Sequence, residues 1–227
     1  HRLTMMVTGD RFDGGAEMQE INALFKRAGS LRDVQVLIAL CDNMPDVPET
    51  MLSGFRDILE RRESKRRKKF EDRLRIFDQA VLDSYGAGLE KALADVAEGK
   101  ATVMAETLIA IFLGDIRSIY HGSEDEERLH KIRTRLKEIN YLNNIFNESL
   151  PVEDHLHITA DRLRETGELA GTWHDHLVFE QQLDKYLRDF PAPVRNDEMP
   201  ELIARLEEKK VDLLQEYSCI LLNEIRI

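Results

Sequence analysis

The chain has 227 residues, 42% of them hydrophobic, which is enough to bury a substantial core in one large domain or two small ones. Its 43 acidic and 32 basic side chains give a formal net charge of -11, which disfavours non-specific nucleic-acid binding unless the cations are segregated onto one surface. No apolar run reaches the roughly 18 residues of a membrane span, and no charged-then-apolar leader is visible, so a soluble chain without membrane contact is expected.

Glycine, proline and aromatics are sparse, and the helix formers Leu, Ile, Glu, Lys, Arg and Ala dominate, which predicts an all-α fold. Cys41 and Cys219 sit far apart in apolar helical patterns. They read as buried free thiols, and a reducing, cytoplasmic location is expected.

In chain order, Met5 to Gly15 shows no clear period, and MMVTGDRF has the look of a join with residues absent after Thr4. Ala16 to Arg27 then reads as a short helix that stops at Gly29. Ser30 is placed as an N-cap with Asp33 three positions on, so a second helix is expected from there. Pro45 and Pro48 break the chain, and Pro48 suits the first turn of a long helix. Its apolar stripe is Leu52, Phe55, Leu59, Phe70, Leu74, Phe77 and Val81, and Arg62, Arg66 and Arg73 project close to Leu59. Charges facing a core cost several kcal/mol, roughly, unless paired, hydrated or bound to an anion. Arg61, Lys65, Lys68 and Lys69 read instead as a solvated face.

Beyond Gly86, Gly88 and Gly99, a helix is expected over Thr102 to Tyr120, and another over Ser123 to Phe146 with Ser123 and Glu126 as a capping box. In this second helix Leu129, Ile132, Leu136 and Ile139 share one sector. His130, Arg133, Lys137 and Tyr141 cluster within roughly 80° on a separate face, and from His130 onward that face holds no carboxylate. Such a stripe is a candidate anion site. After Pro151 come a helix to about Leu169, a break at Gly171, a helix from Trp173 to Asp189, and a last helix from Pro200, for about eight in all.

An internal repeat runs through this order. Ala28-Gly29-Ser30-Leu31-Arg32-Asp33 and Val36 match Ala170-Gly171-Thr172-Trp173-His174-Asp175 and Val178. Each copy reads as a helix stop, a hydroxyl cap, a basic residue in the first turn and a capping acid. A cation at a helix N-terminus opposes the dipole, so Arg32 and His174 point to a bound anion. The second basic helix has a weak echo in His1-Arg2-Leu3-Thr4, at a shorter spacing.

A His-x-x-Arg-x-x-x-Lys helix, followed by a Gly-x-x-[Arg/His]-Asp segment that occurs twice in an all-helical chain, resembles the CHAD domain, a family named for a histidine-bearing α-helical domain. The resemblance covers nearly the whole chain, 1–227, with a first repeat of about 1–100 and a second of about 101–227. It implies two pseudo-symmetric antiparallel four-helix bundles with a basic central cavity that binds inorganic polyphosphate without catalysis. It also implies a partner domain of the triphosphate-tunnel type, in cis or trans, and association with polyphosphate granules. Carried onto this chain, the polyphosphate-binding residues are His1, Arg32, His130, Arg133, Lys137, Tyr141 and His174, and the inward arginines Arg62, Arg66 and Arg73 join them. The chain departs from the family pattern at Asn140, where arginine is common, and at Thr4.

Two other classes are weighed against it. In an HD-type metal-dependent phosphohydrolase, His174-Asp175 would join His130, His155 or His157 and an acid such as Asp212. A helical protein-interaction scaffold would pair its basic stripes with internal carboxylates. No phosphate loop of the Gly-x-x-x-x-Gly-Lys type and no Cys-x-x-Cys pair is present, so neither a cofactor nor a nucleophile is expected.

Overall fold

The computed structural model describes residues 2–9, 12, 14–44, 49–97, 99–120, 126–146, 160–190 and 199–224. Among these residues all regular structure is helical. The helices are α1 (Arg2–Thr8), α2 (Gly15–Asp42), α3 (Glu49–Ile76), α4 (Ala80–Leu93), α5 (Lys100–Ile119), α6 (Glu126–Phe146), α7 (Ala160–Asp189) and α8 (Met199–Glu224). The local reasons are ordinary ones. In α3, Arg and Glu recur one turn apart, and Arg56 Nη1 meets Glu60 Oε1 at 2.7 Å, a pairing that supports a helix surface by a few tenths of a kcal/mol, roughly. Gly99, at φ 77, sits in the left-handed region just before α5, where a side chain would be strained. Glu126 and Glu127 open α6 at the positive end of its dipole.

Packing divides the chain into two units. The first holds α1, α5, α6, α7 up to His174 and α8 from Glu207, and the second holds α2, α3, α4, α7 from Asp175 and α8 up to Leu206. Both units interleave segments from the two halves of the chain.

In the second unit α2 packs on α3 and α4. Val34 and Leu37 from α2 meet Leu52, Phe55 and Leu59 from α3, with Phe179 and Leu183 of α7 and Met199, Leu202 and Leu206 of α8. The three-and-four spacing of Leu52, Phe55 and Leu59 puts them on one face, and each such buried side chain stabilises by about 1.5–3 kcal/mol. Phe55 is edge-on to Phe179 with centroids 5.7 Å apart. Gly54 lets α3 approach α7 closely, because a Cβ there would run into the Tyr186 hydroxyl.

The first unit has α5 against α1 and α6. Leu108, Phe112 and Ile116 are buried on α5, and Leu129, Ile132, Leu136 and Ile139 on α6. Leu163, Ala170 and Trp173 are buried on α7, and Leu213, Tyr217 and Leu221 on α8. The guanidinium groups of Arg2 and Arg135 lie 5.2 and 5.1 Å from the Phe112 ring centroid, cation–π contacts that hold α1 and α6 to α5. The apolar sector expected for α6 is thus the buried one.

Several local expectations are corrected. Met5 and its neighbours belong to α1, not to an aperiodic join. Gly29 and Ser30 lie inside α2, and Gly171 and Thr172 inside α7, so neither repeat copy is a helix boundary. A mid-helix glycine costs only about 1 kcal/mol relative to alanine, and burial close by outweighs it: Val34 and Leu37 after Gly29 in α2, Ala170 and Trp173 around Gly171 in α7. Neither hydroxyl stands at a helix start. Thr172 Oγ1 donates back to Glu168 O at 3.1 Å, and the Ser30 carbonyl accepts from Arg66 Nη1 at 2.6 Å. The long helix ends at Ile76 rather than Val81, and Leu74 is exposed. Contrary to the expected burial of both, Cys219 is exposed and Cys41 only partly buried. Pro45, Pro48, Ser123 and Pro151 lie outside the described residues.

Candidate anion-binding site

The first unit gathers four of the expected cations. On α6, the same periodicity that buries Ile132 and Leu136 leaves His130 and Lys137 exposed and Arg133 half-buried. His174 reaches them from α7, its ring centroid 5.0 Å from that of His130 with the planes inclined by 45°. Burial pushes the His174 imidazole down to about 4, helped by the positive charges of Arg133, His130 and Lys137. Every charged neighbour behind that shift is basic. His174 is therefore neutral near pH 7.

The orphaned polar atoms at this place mark it further. Arg133 Nε, His174 Nδ1 and the Tyr217 hydroxyl are all buried and without a hydrogen-bond partner among the described residues. Buried polar groups are nearly always satisfied, so three together need a reason. Tyr217 is also linked to Arg133 electrostatically. Burial raises its phenol above the usual range, while Arg133 acts in the opposite direction and Tyr120 adds to the rise. Tyr217 and Tyr120 escaped the sequence reading. The spacing of Leu213, Tyr217 and Leu221 marks only a core face of α8, and nothing local says that one member carries an unsatisfied hydroxyl.

Tyr141 is on the same helix and 61% exposed. Asn140, the departure from the family pattern, faces α7 instead. Its Nδ2 donates to Leu163 O at 3.2 Å and would lie 2.6 Å from a Cβ at Gly167. The longer side chain common in the family would have to displace that close helix contact.

The second unit holds the other set. Arg62 Nη1 donates to the neutral Gln182 Oε1 at 2.9 Å, and Arg66 to the Ser30 carbonyl, so neither charge is cancelled by its partner. Arg73 differs, being ion-paired with Glu20. Arg32 is exposed on α2, and neither it nor His174 stands at a helix N-terminus, both being in mid-helix. His1 lies outside the described residues, as do His121, His155 and His157.

Arg62, Arg66 and Arg133 have no carboxylate partner among the described residues, contrary to what an internally paired scaffold requires. Among the described residues no group of three or more His, Cys, Asp and Glu side chains is placed to hold a metal ion, and none of the helices is long and apolar enough to cross a membrane. A rigid row of histidine, arginine and lysine without a carboxylate suits an anion with several oxygens. Arginine gives forked contacts and lysine a point charge.

The family model described as CHAD domain matches residues 10–184. No curated protein and no solved structure matches the chain.

Proposed function

The chain belongs to the CHAD domain family, and from that premise we propose that it is a non-catalytic module that binds inorganic polyphosphate or a similar polyanion. The observation that carries this reading is the cluster of His130, Arg133, Lys137 and His174, where every charge acting on His174 is positive and Arg133 Nε has no partner. Phosphoryl oxygens supply what the cluster lacks: negative charge and acceptors for charge-assisted hydrogen bonds. Specific nucleic-acid recognition is not part of the proposal, given the net charge of -11.

The family architecture of two bundles with one basic cavity belongs to the proposal as well. A triphosphate-tunnel enzyme domain as partner, and a cytoplasmic location at polyphosphate granules, complete it. Titration of labelled polyphosphate into wild type and Arg133→Ala/Lys137→Ala protein at low salt tests the core of the idea. Tight wild-type binding that weakens at least tenfold in the variant is expected. Equal affinity, or no binding by wild type, overturns it.

A further inference from the structure

The sequence of α3 from Arg61 to Lys69 is RRESKRRKK. At about 100° per residue, Lys68, Arg61, Lys65, Lys69, Arg62 and Arg66 follow one another around the helix, in that angular order, over about 160°. The structure gives this band a gradient. Lys68, Arg61, Lys65 and Lys69 are exposed, and Arg62 and Arg66, at its inner edge, are half-buried.

Nearby acids leave the band uncancelled. Glu63 falls outside it and is occupied by Arg67 and by Gln35 Nε2, the latter at 3.2 Å. Asp72, a turn further on, meets Arg75 at 3.4 Å. Arg62 and Arg66 are held by neutral acceptors, Gln182 and the Ser30 carbonyl. None of the six has a carboxylate partner among the described residues. A purely solvated face would be expected to show the one-turn pairing found at Arg56–Glu60 and Arg67–Glu63.

We infer that the α3 band, including the exposed Arg61, Lys65, Lys68 and Lys69, is a binding track for the outer part of a long linear polyanion whose inner part contacts Arg62 and Arg66. This rests on the polyphosphate reading and adds a chain-length preference to it. A short polyphosphate fills the inner positions only. A long one lays further phosphates over the exposed cations, each contact releasing counterions. If each neutralised charge releases about 0.7 counterion, as on single-stranded nucleic acids, four cations steepen the salt dependence by about 2.8 decades of affinity per decade of salt, or about 50-fold between about 50 and 200 mM.

The test compares tripolyphosphate with long-chain polyphosphate, each titrated into wild type, Arg61→Gln/Lys65→Gln/Lys68→Gln/Lys69→Gln and a control carrying Lys26→Gln/Arg27→Gln/Lys91→Gln/Lys185→Gln. The control removes the same charge from exposed sites of the same unit outside the band. The track variant is expected to lose tens-fold affinity for the long chain at low salt and most of that extra salt dependence, with tripolyphosphate affinity within about twofold, while the control keeps both. Equal loss for both ligands, equal loss in the control, or no loss at all overturns the track while leaving polyphosphate binding standing. Failure of wild type to bind either ligand instead removes the functional reading on which the track depends.

Discussion

The His174 imidazole gives a prediction that tests the basic cluster without any ligand. In the unfolded chain it takes a proton near the ordinary 6.5, whereas in the folded chain burial and the charges of Arg133, His130 and Lys137 hold it to about 4. Between those values the unfolded state binds the extra proton, so this group makes stability rise with pH across the window, and the contribution is lost on acidification. At about 1.4 kcal/mol for each pH step, the whole window is worth about 3 kcal/mol at most, trimmed by solvent reaching the half-buried ring. His174→Gln removes the titration and keeps a polar side chain. Urea unfolding of both proteins from about pH 7 down to about pH 4 should show wild type losing more stability than the variant, with most of the divergence below about pH 6. Parallel curves would show that His174 is not buried beside Arg133, His130 and Lys137 in solution as it is here.

Other consequences are as direct. Gly29→Ala and Gly171→Ala should each raise stability by about 0.5–1 kcal/mol, since both glycines are mid-helix and a Cβ at either meets nothing within 4 Å; destabilisation in thermal melts would mean the helices break there after all. Tyr217→Phe should leave stability unchanged or raise it by up to about 1 kcal/mol, because its hydroxyl has no partner, whereas a loss beyond about 1 kcal/mol in denaturant titrations would expose a bond this geometry lacks. Leu136→Ala, at a fully buried position of α6, should cost about 2–5 kcal/mol by the same measurement. Cys41, whose thiol burial pushes up to about 12, should react with a thiol reagent far more slowly than exposed Cys219 at neutral pH, and labelling at equal rates would contradict its partly buried placement.

Helical class and the faces of α6 were legible in the sequence because both depend on periodicity, and Leu129, Ile132, Leu136 and Ile139 are buried as their spacing requires. Helix ends were not legible at Gly29 and Gly171. Glycine followed by a hydroxyl and an acid is sound local punctuation, but it is worth about 1 kcal/mol, and the packing of Val34, Leu37, Ala170 and Trp173 outweighs it. The site shows the same divide. His130, Arg133 and Lys137 could be found because they share one helix. His174 could be found too, though from a boundary that does not exist. Tyr217 could not, because it meets Arg133 only through tertiary packing of α8, and a tyrosine in an apolar stripe gives no sign of an unsatisfied hydroxyl. Arg62, Arg66 and Arg73 looked alike from spacing, and only the partners Gln182, Ser30 and Glu20 separate them.

The interleaving of the two packing units bears on the order in which a ribosome delivers them. The unit around α2 and α3 has all its segments once Leu206 has emerged, whereas the unit around α6 still waits for the rest of α8. Arg133, Lys137 and His174 are thus translated well before Tyr217, the buried residue that feels the charge of Arg133. Until then water can relieve the repulsion between Arg133 and Lys137, and the cost of crowding these like charges falls on the last stage of folding. A nascent chain stalled ahead of Glu207 should therefore carry the cations of α6 in an unfinished unit, without the burial that lowers the proton affinity of His174.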